Sequence, residues 1–279
     1  MAGMRAEFRH TLRRLRGPIL GWGIGLALYG LAMGLMYDAI NQIEGLDALL
    51  ASYPRELLAF FGDMADLASA RGYFGIYYSS YMPIIVGIFA VGAAAALLAG
   101  DEERGTLDLT LAQPISRSGL FWGRWLGFAA ATALILLLGY LGWVVTLPFS
   151  TLDATAGALL VAFVPILGIL LLFGGLALLL SMVLPSARMA SMTAGGLLVA
   201  NWLLVGLANL NTDLQPLVDL TPFAYFQGGE ALVDMNWGWA SGLGLAGFVL
   251  AAAAWALFRR RDIRVGGERS WRWRGLRRA

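Results

Sequence analysis

Six stretches of this chain, residues 18–37, 74–100, 125–148, 157–184, 189–209 and 237–258, contain no Asp, Glu, Lys, Arg or His. Each is long enough to cross the hydrocarbon core of a bilayer, which takes about 20 apolar residues at about 1.5 Å per residue. No water is available inside that core, so the backbone must satisfy its own N–H and C=O groups, and such segments fold as helices. The remaining composition agrees: 59% of residues are hydrophobic and 14% charged, against about 25% charged in soluble domains. The expected fold is an all-α integral membrane protein, with six transmembrane helices in one domain over residues 1–279.

Arginine decides the orientation. The chain has no lysine, and an even number of spans puts both ends on one side. That side collects Arg5, Arg9, Arg13, Arg14, Arg16, Arg104, Arg117, Arg124, Arg188 and nine arginines from Arg259 to Arg278, so 18 of the 20 lie there. Only Arg55 and Arg71 fall opposite. Cytosolic loops carry the excess of positive charge, so both termini are expected in the cytosol and the protein in the cell membrane. The first 17 residues are too arginine-rich for a cleaved signal peptide, and the first span is expected to remain in place.

Smaller features punctuate the spans. Residues 4–16 set Met4, Phe8, Leu12 and Leu15 at helical spacing among five arginines, as in a helix lying in the inner headgroup layer before Gly17 and Pro18 turn the chain into the bilayer. Residues 38–73 are too rich in leucine and aromatics for a disordered linker, and short interfacial helices broken at Pro54 are expected. Tyr73, Phe74, Tyr77, Tyr78 and Tyr81 suit an aromatic belt at the outer interface; the alternative is that some line an exit path. Pro83 and Pro165 are expected to kink their helices. Close helix packing is signalled by Gly21/Gly25, Gly30/Gly34, Gly123/Gly127 and Gly238/Gly242. Between the last two spans, Thr221 and Pro222 open an aromatic stretch that suits a half-buried helix dipping into the outer leaflet; an ordinary surface loop is the alternative. The tail, residues 259–279, combines nine arginines with Trp271 and Trp273; directly after a span, its expected partner is anionic membrane lipid rather than nucleic acid.

Residues 101–117 form a charged island between two apolar stretches. Asp101, Glu102 and Glu103 leave the membrane, Gly105 permits a sharp turn, and Thr106 can cap a short helix over residues 107–113 that Pro114 stops. Leu107 and Leu111 share a face able to enter a partner's groove. This segment resembles the one after the second span in type-2 ABC exporter permeases. The matching positions are Asp101, Glu103, Gly105, Thr106, Leu107, Leu111, Pro114, Ile115, Ser116 and Arg117; Asp101 stands where Glu is commoner, and Thr110 interrupts a run that is usually leucine. The N-terminal amphipathic helix, the six spans and Thr221-Pro222-Phe223 extend the resemblance over the whole chain. It implies that Asp101, Glu103, Gly105, Thr106, Leu107, Leu111, Pro114 and Arg117 couple the chain to a cytosolic ATPase. It also implies two ATPase copies, a second permease subunit, typically as a homodimer, and re-entrant outer helices before the sixth span.

Several functions are excluded or disfavoured. A phosphate-binding loop of the G-x-x-x-x-G-K-[ST] type needs a lysine, so ATP and Mg²⁺ would be handled by the partner chain and no cofactor is expected in this one. With no cysteine and a single histidine, His10, the chain lacks the ligands of ordinary metal sites and the base of a Ser-His dyad, and no catalytic residue is assigned. All 18 acids lie outside the six windows, which disfavours an ATPase-independent secondary transporter. A non-transporting assembly or sensory subunit of the same machine stays open. An uncharged route suits a hydrophobic or amphipathic cargo such as a drug, antibiotic or lipid, moved outward; Tyr77, Tyr81, Asn201 and Phe226 are the candidate lining residues.

Overall fold

The computed structural model describes residues 2–43, 67 and 69–260. The interfacial helices expected around Pro54 and the tail from residue 261 onward, with Trp271 and Trp273, lie outside the described residues. Within them the chain is helical throughout, with no strand. The elements are α1 (Ala2–Arg14), α2 (Arg16–Asn41), α3 (Ala70–Phe74), a π-helical turn (Gly75–Ser79), α4 (Met82–Ala95), α5 (Ala99–Glu103), α6 (Leu107–Leu111) and α7 (Arg117–Thr146). They continue with α8 (Ala156–Val183), α9 (Ala187–Ala208), α10 (Gln215–Val218) and α11 (Trp237–Arg260). Six segments are long and apolar enough to cross a membrane: Arg16–Ile40, Ala70–Ala95, Arg117–Phe149, Ala156–Val183, Ala187–Ala208 and Trp237–Arg260.

Two helices organise the packing. α7 carries α1 and α2 along one side, while α8, apolar on every face, receives α4, α9 and α11. Lipid offers no hydrophobic drive for helices to meet, so close backbone approach must supply the contact. Glycine makes that approach possible. A Cβ at Gly142 of α7 would lie 2.1 Å from the Ala27 carbonyl oxygen of α2, and one at Gly175 of α8 would lie 2.5 Å from the Gly247 carbonyl of α11. Of the glycine pairs flagged in the sequence, Gly30/Gly34 seats Trp143 and Thr146 of α7, and Gly123/Gly127 seats α1. Gly21, Gly25 and Gly242 face open space instead, and Gly238 meets only the Asn236 side chain within its own loop.

Three expectations about the spans need correction. Pro83 does not kink a continuous second helix: it stands in the first turn of α4, where a missing N–H costs nothing. The irregularity precedes it, in the π turn, where the Ser80 N–H reaches back to the Gly75 carbonyl at 3.0 Å and the Ser79 and Ser80 hydroxyls donate to that same oxygen. Pro165 does lie inside unbroken α8. The third span starts at Arg117, two turns before its apolar window. Finally, the bend between α1 and α2 falls at Leu15 rather than at Gly17 and Pro18. Backbone bonds from Leu15 N–H to Thr11 and from Ile19 N–H to Leu15 bridge the bend, and α1 packs along the N-terminal end of α7.

The aromatic residues at the start of the second span are not a lipid-facing belt. Tyr73, Phe74 and Tyr78 are fully buried and pack with Trp143 of α7, at ring separations of 6.3, 5.3 and 5.5 Å, and Phe163 of α8 joins Phe74 and Tyr78. Edge-to-face pairs of this kind add about 0.5–1.5 kcal/mol each beyond their buried area. The Tyr73 hydroxyl donates to the Met33 carbonyl of α2 at 2.8 Å, so the cluster ties α2, α3, α7 and α8 together.

Because the Ala27 backbone cannot move aside for a methyl group at Gly142, Gly142→Ala is expected to destabilise the protein by about 1–3 kcal/mol. Gly21→Ala, in open space, is expected to change little. Thermal unfolding of the two variants in mild detergent separates these outcomes.

Candidate functional site

The charged island closes one helix and starts two others. α5 ends at Glu103, and Gly105 then adopts φ +68°, a left-handed conformation that glycine takes without steric cost. Its N–H donates to the Glu102 carbonyl at 3.0 Å, and the Thr106 N–H donates to the Asp101 carbonyl at 2.9 Å. The Thr106 hydroxyl donates to that same Asp101 oxygen at 3.3 Å, so Thr106 seals the end of α5 and makes no side-chain cap for α6. α6 is correspondingly short, stopping at Leu111 before the turn that contains Pro114. The Ser116 side chain accepts from the Gly119 N–H at 3.0 Å and caps α7.

Beneath the island lies a buried charge cluster. Arg124, eight residues into α7 and 3% exposed, donates from Nε to Glu7 of α1 at 3.1 Å. Its Nη1 lies 2.6 Å from the Asp101 carboxylate and donates to the Leu97 carbonyl at 2.6 Å. That carbonyl sits in the turn between α4 and α5. Arg14 of α1 pairs with Asp101 at 3.1 Å, and Arg104 pairs with it from the other side. Burial pushes the Asp101 carboxyl upward, but Arg124, Arg104 and Arg14 together outweigh burial and hold it below the usual carboxylate range.

The rest of the island reaches two more helices. Glu103 accepts the Ala187 N–H at 2.6 Å, meeting an unsatisfied backbone donor at the start of α9 where a negative charge also suits the helix dipole. Arg117 donates to the Phe258 and Arg259 carbonyls at the end of α11, both at 3.4 Å, where orphan acceptors favour a cation. Beside it the Trp255 indole donates to Ser118 at 3.1 Å. Leu107 does not offer a face to a partner: it is 1% exposed and belongs to the core, and Leu111 packs half-buried against the same core. The exposed leucine of α6 is Leu109, at 70%. Thr106, Gln113 and Pro114 are exposed around it.

Sequence reasoning treated Arg124 only as a marker of orientation and gave Glu7 no role. Both had a signal. Glu7 is the one acid in a helix holding Arg5, Arg9, Arg13 and Arg14, and Arg124 lies between two glycines that admit α1 against α7.

The four candidate lining residues are not gathered into one site. Tyr77 is half-buried with its ring 4.9 Å from Tyr73, and its carbonyl accepts from the Tyr29 hydroxyl. Tyr81 packs on Trp202 of α9 at 6.2 Å, and the Trp202 indole donates to the Ser80 carbonyl at 3.1 Å. Asn201 donates back to Leu197 of its own helix at 2.8 Å, while its buried carbonyl oxygen has no partner among the described residues. Phe226 lies tilted against Phe223 at 5.8 Å in the segment between α9 and α11, which runs through short helices at Thr212–Leu214, Gln215–Val218, Pro222–Tyr225 and Gly228–Leu232. That segment docks on the second span: Gly229 lies against Gly75, and Arg71 pairs with Glu230 at 3.1 Å.

Comparison with known proteins agrees with this architecture. The profile of the family described as ABC-2 family transporter protein matches residues 2–224. Over 121 residues the chain is 32% identical to a Pseudomonas aeruginosa protein described as the probable ABC transporter permease protein NosY. That match covers 43% of this chain and 42% of the relative's length.

Removing the Arg124 cation leaves two carboxylates without their buried partner, so Arg124→Met is expected to cost about 3–5 kcal/mol, seen as a large fall in unfolding temperature. The Asp101 interaction carries its own pH signature. Its folded pKa is lowered, so its stabilisation is complete above the unfolded value of about 3.9 and is lost as pH falls through the folded value. Thermal stability measured from pH 7 downward should lose this contribution only below about pH 4, and Asp101→Asn should flatten that part of the profile.

Proposed function

Since the chain belongs to the ABC-2 transporter family, we propose that it is the permease subunit of an ATP-driven exporter whose ATPase is a separate cytosolic chain. The supporting observation is the wiring of the island. One short segment exposes Leu109 outward and is held from within by α1, α7, α9 and α11, as a lever between an external motor and the bundle requires. The reading is supported by the absence of lysine from this sequence, since a phosphate-binding loop of the G-x-x-x-x-G-K-[ST] type needs one. The arginine distribution supports a cytosolic side for the island and both termini in this reading. Two copies of the chain acting with two ATPase subunits complete the unit, and the short outer helices before α11 form its re-entrant element. The uncharged spans fit a hydrophobic or amphipathic cargo moved outward.

In this reading Leu109 and its exposed neighbours contact the ATPase, while Asp101, Glu103, Leu107 and Arg117 hold the segment to the bundle. Leu109→Arg is therefore expected to reduce ATPase co-purification about tenfold or more, since a charge replaces a leucine in a desolvated contact, with thermal stability unchanged. Wild-type recovery of the ATPase with this variant would remove the assignment. The chain has no cysteine, so orientation can be read directly. Single cysteines at Gln113 and at Thr212 are expected to react with an impermeant maleimide from the cytosolic and the outer side, respectively.

A further inference from the structure

A groove of about 540 Å³ runs between α7 and α8 and ends under α1. Leu134 and Leu137 of α7, Leu160 and Phe163 of α8, and Phe8 and Leu12 of α1 line it. Its walls are apolar along their length, and the one polar residue, Tyr140, turns its hydroxyl away to the Ala156 carbonyl at 3.2 Å. Residues 130–140 of α7 alone rise about 15 Å, so the groove follows a large part of a leaflet. Leu134, Leu137 and Leu160 are each 40% exposed or more, so it opens sideways toward the membrane.

The mouth of the groove differs in chemistry from its walls. Arg5 and Arg9 stand on the same side of α1 as Leu12, at spacings of four and three residues, and both are exposed. Arg14 of the same helix is taken up by Asp101. Among the described residues Arg5 and Arg9 pair with no carboxylate. A long slot without polar groups, flanked on α1 by two uncommitted guanidinium groups that each stand three residues from a lining side chain, Arg5 from Phe8 and Arg9 from Leu12, is complementary to an amphiphile with an acyl chain and an anionic head. We propose that this groove is a specific site for a resident anionic phospholipid, with one acyl chain laid along α7 and α8 and its phosphate held by Arg5 and Arg9. A second copy of the chain would bring its own arginine row against this one, and repulsion disfavours it as the occupant. The site is independent of the permease reading.

The test uses the full-length protein purified in mild detergent, with unfolding temperature and native mass spectrometry as readouts. Dioleoylphosphatidylglycerol is expected to raise the unfolding temperature and to be retained as one tightly held lipid per chain. Dioleoylphosphatidylcholine, with the same acyl chains and no net charge, should do so about tenfold more weakly, and inorganic phosphate not at all. Arg5→Gln/Arg9→Gln should abolish the preference for the anionic lipid. Ala133→Trp, which fills the groove, should lose retention of both lipids. Equal retention of the two lipids, stabilisation by phosphate alone, or an unchanged preference in the arginine double variant overturns the proposal. Because Arg5 and Arg9 are exposed, that variant decides the question even if Ala133→Trp does not fold.

Discussion

A guanidinium group removed from water must be given negative charge and acceptors where it lies, and Arg124 imposes that requirement on the half of the molecule that carries the island. α1 has to run close along α7 because Glu7 supplies one carboxylate, and Gly123 and Gly127 leave room for its backbone. The second span has to stop at Ala95 and turn, because the Leu97 carbonyl and the Asp101 carboxylate meet the remaining N–H groups. Buried ion pairs of this kind are poor evidence for net stability, since desolvation offsets much of the attraction. Their effect here is on register: a shift of α1 by one residue along α7 would strand a charge in the core.

The opposite half is held by different means. There the aromatic cluster of Tyr73, Phe74, Tyr78, Trp143 and Phe163 takes the place of charge, and the segment between α9 and α11 docks through Gly229 on Gly75 and through the Arg71 and Glu230 pair. The Tyr78 hydroxyl and the Trp143 indole N–H have no partner among the described residues, an arrangement that costs free energy and that the surrounding ring contacts offset. The bundle is thus specified by electrostatics at the charged end and by shape at the other.

How much of this could be read in advance follows from which forces leave a mark on one-dimensional sequence. The six spans were legible because hydrophobic length is a local property, and the turn at Gly105 because a left-handed residue after an acidic helix end is a local signal. Arg124 was misjudged because burial depends on what packs against it, and its partners Glu7 and Asp101 are 117 and 23 residues away. Leu107 and Leu111 were read as a free face because periodicity names a shared side of a helix without saying which way it points. Pro83 was read as a kink because the π turn before it, built by hydroxyls bonding the Gly75 carbonyl, has no recognisable pattern. Composition alone suits the aromatic run to the interface, whereas the Tyr73, Phe74 and Tyr78 rings turn inward onto Trp143 and Tyr81 packs on Trp202.

The breaks in the second span bear on how any force at the island would travel. α4 has 14 residues, about 21 Å of helix, which is shorter than a hydrocarbon core of about 30 Å. It therefore crosses only with the help of α3 and the π turn on one side and the residues leading to α5 on the other. At the break before α4, irregular hydrogen bonding at Gly75–Ser79 interrupts the helix. At the break after it, the Leu97 carbonyl is bonded to a side chain of α7 instead of to its own helix. A short rod interrupted at both ends can change tilt without unwinding, because the dihedral changes fall in turns that already lack regular bonding. Its inner turn is clamped to Arg124 and, through Glu103, to the start of α9. A displacement of the island would therefore be shared between the tilt of α4 and the positions of α7 and α9, to which these contacts tie it.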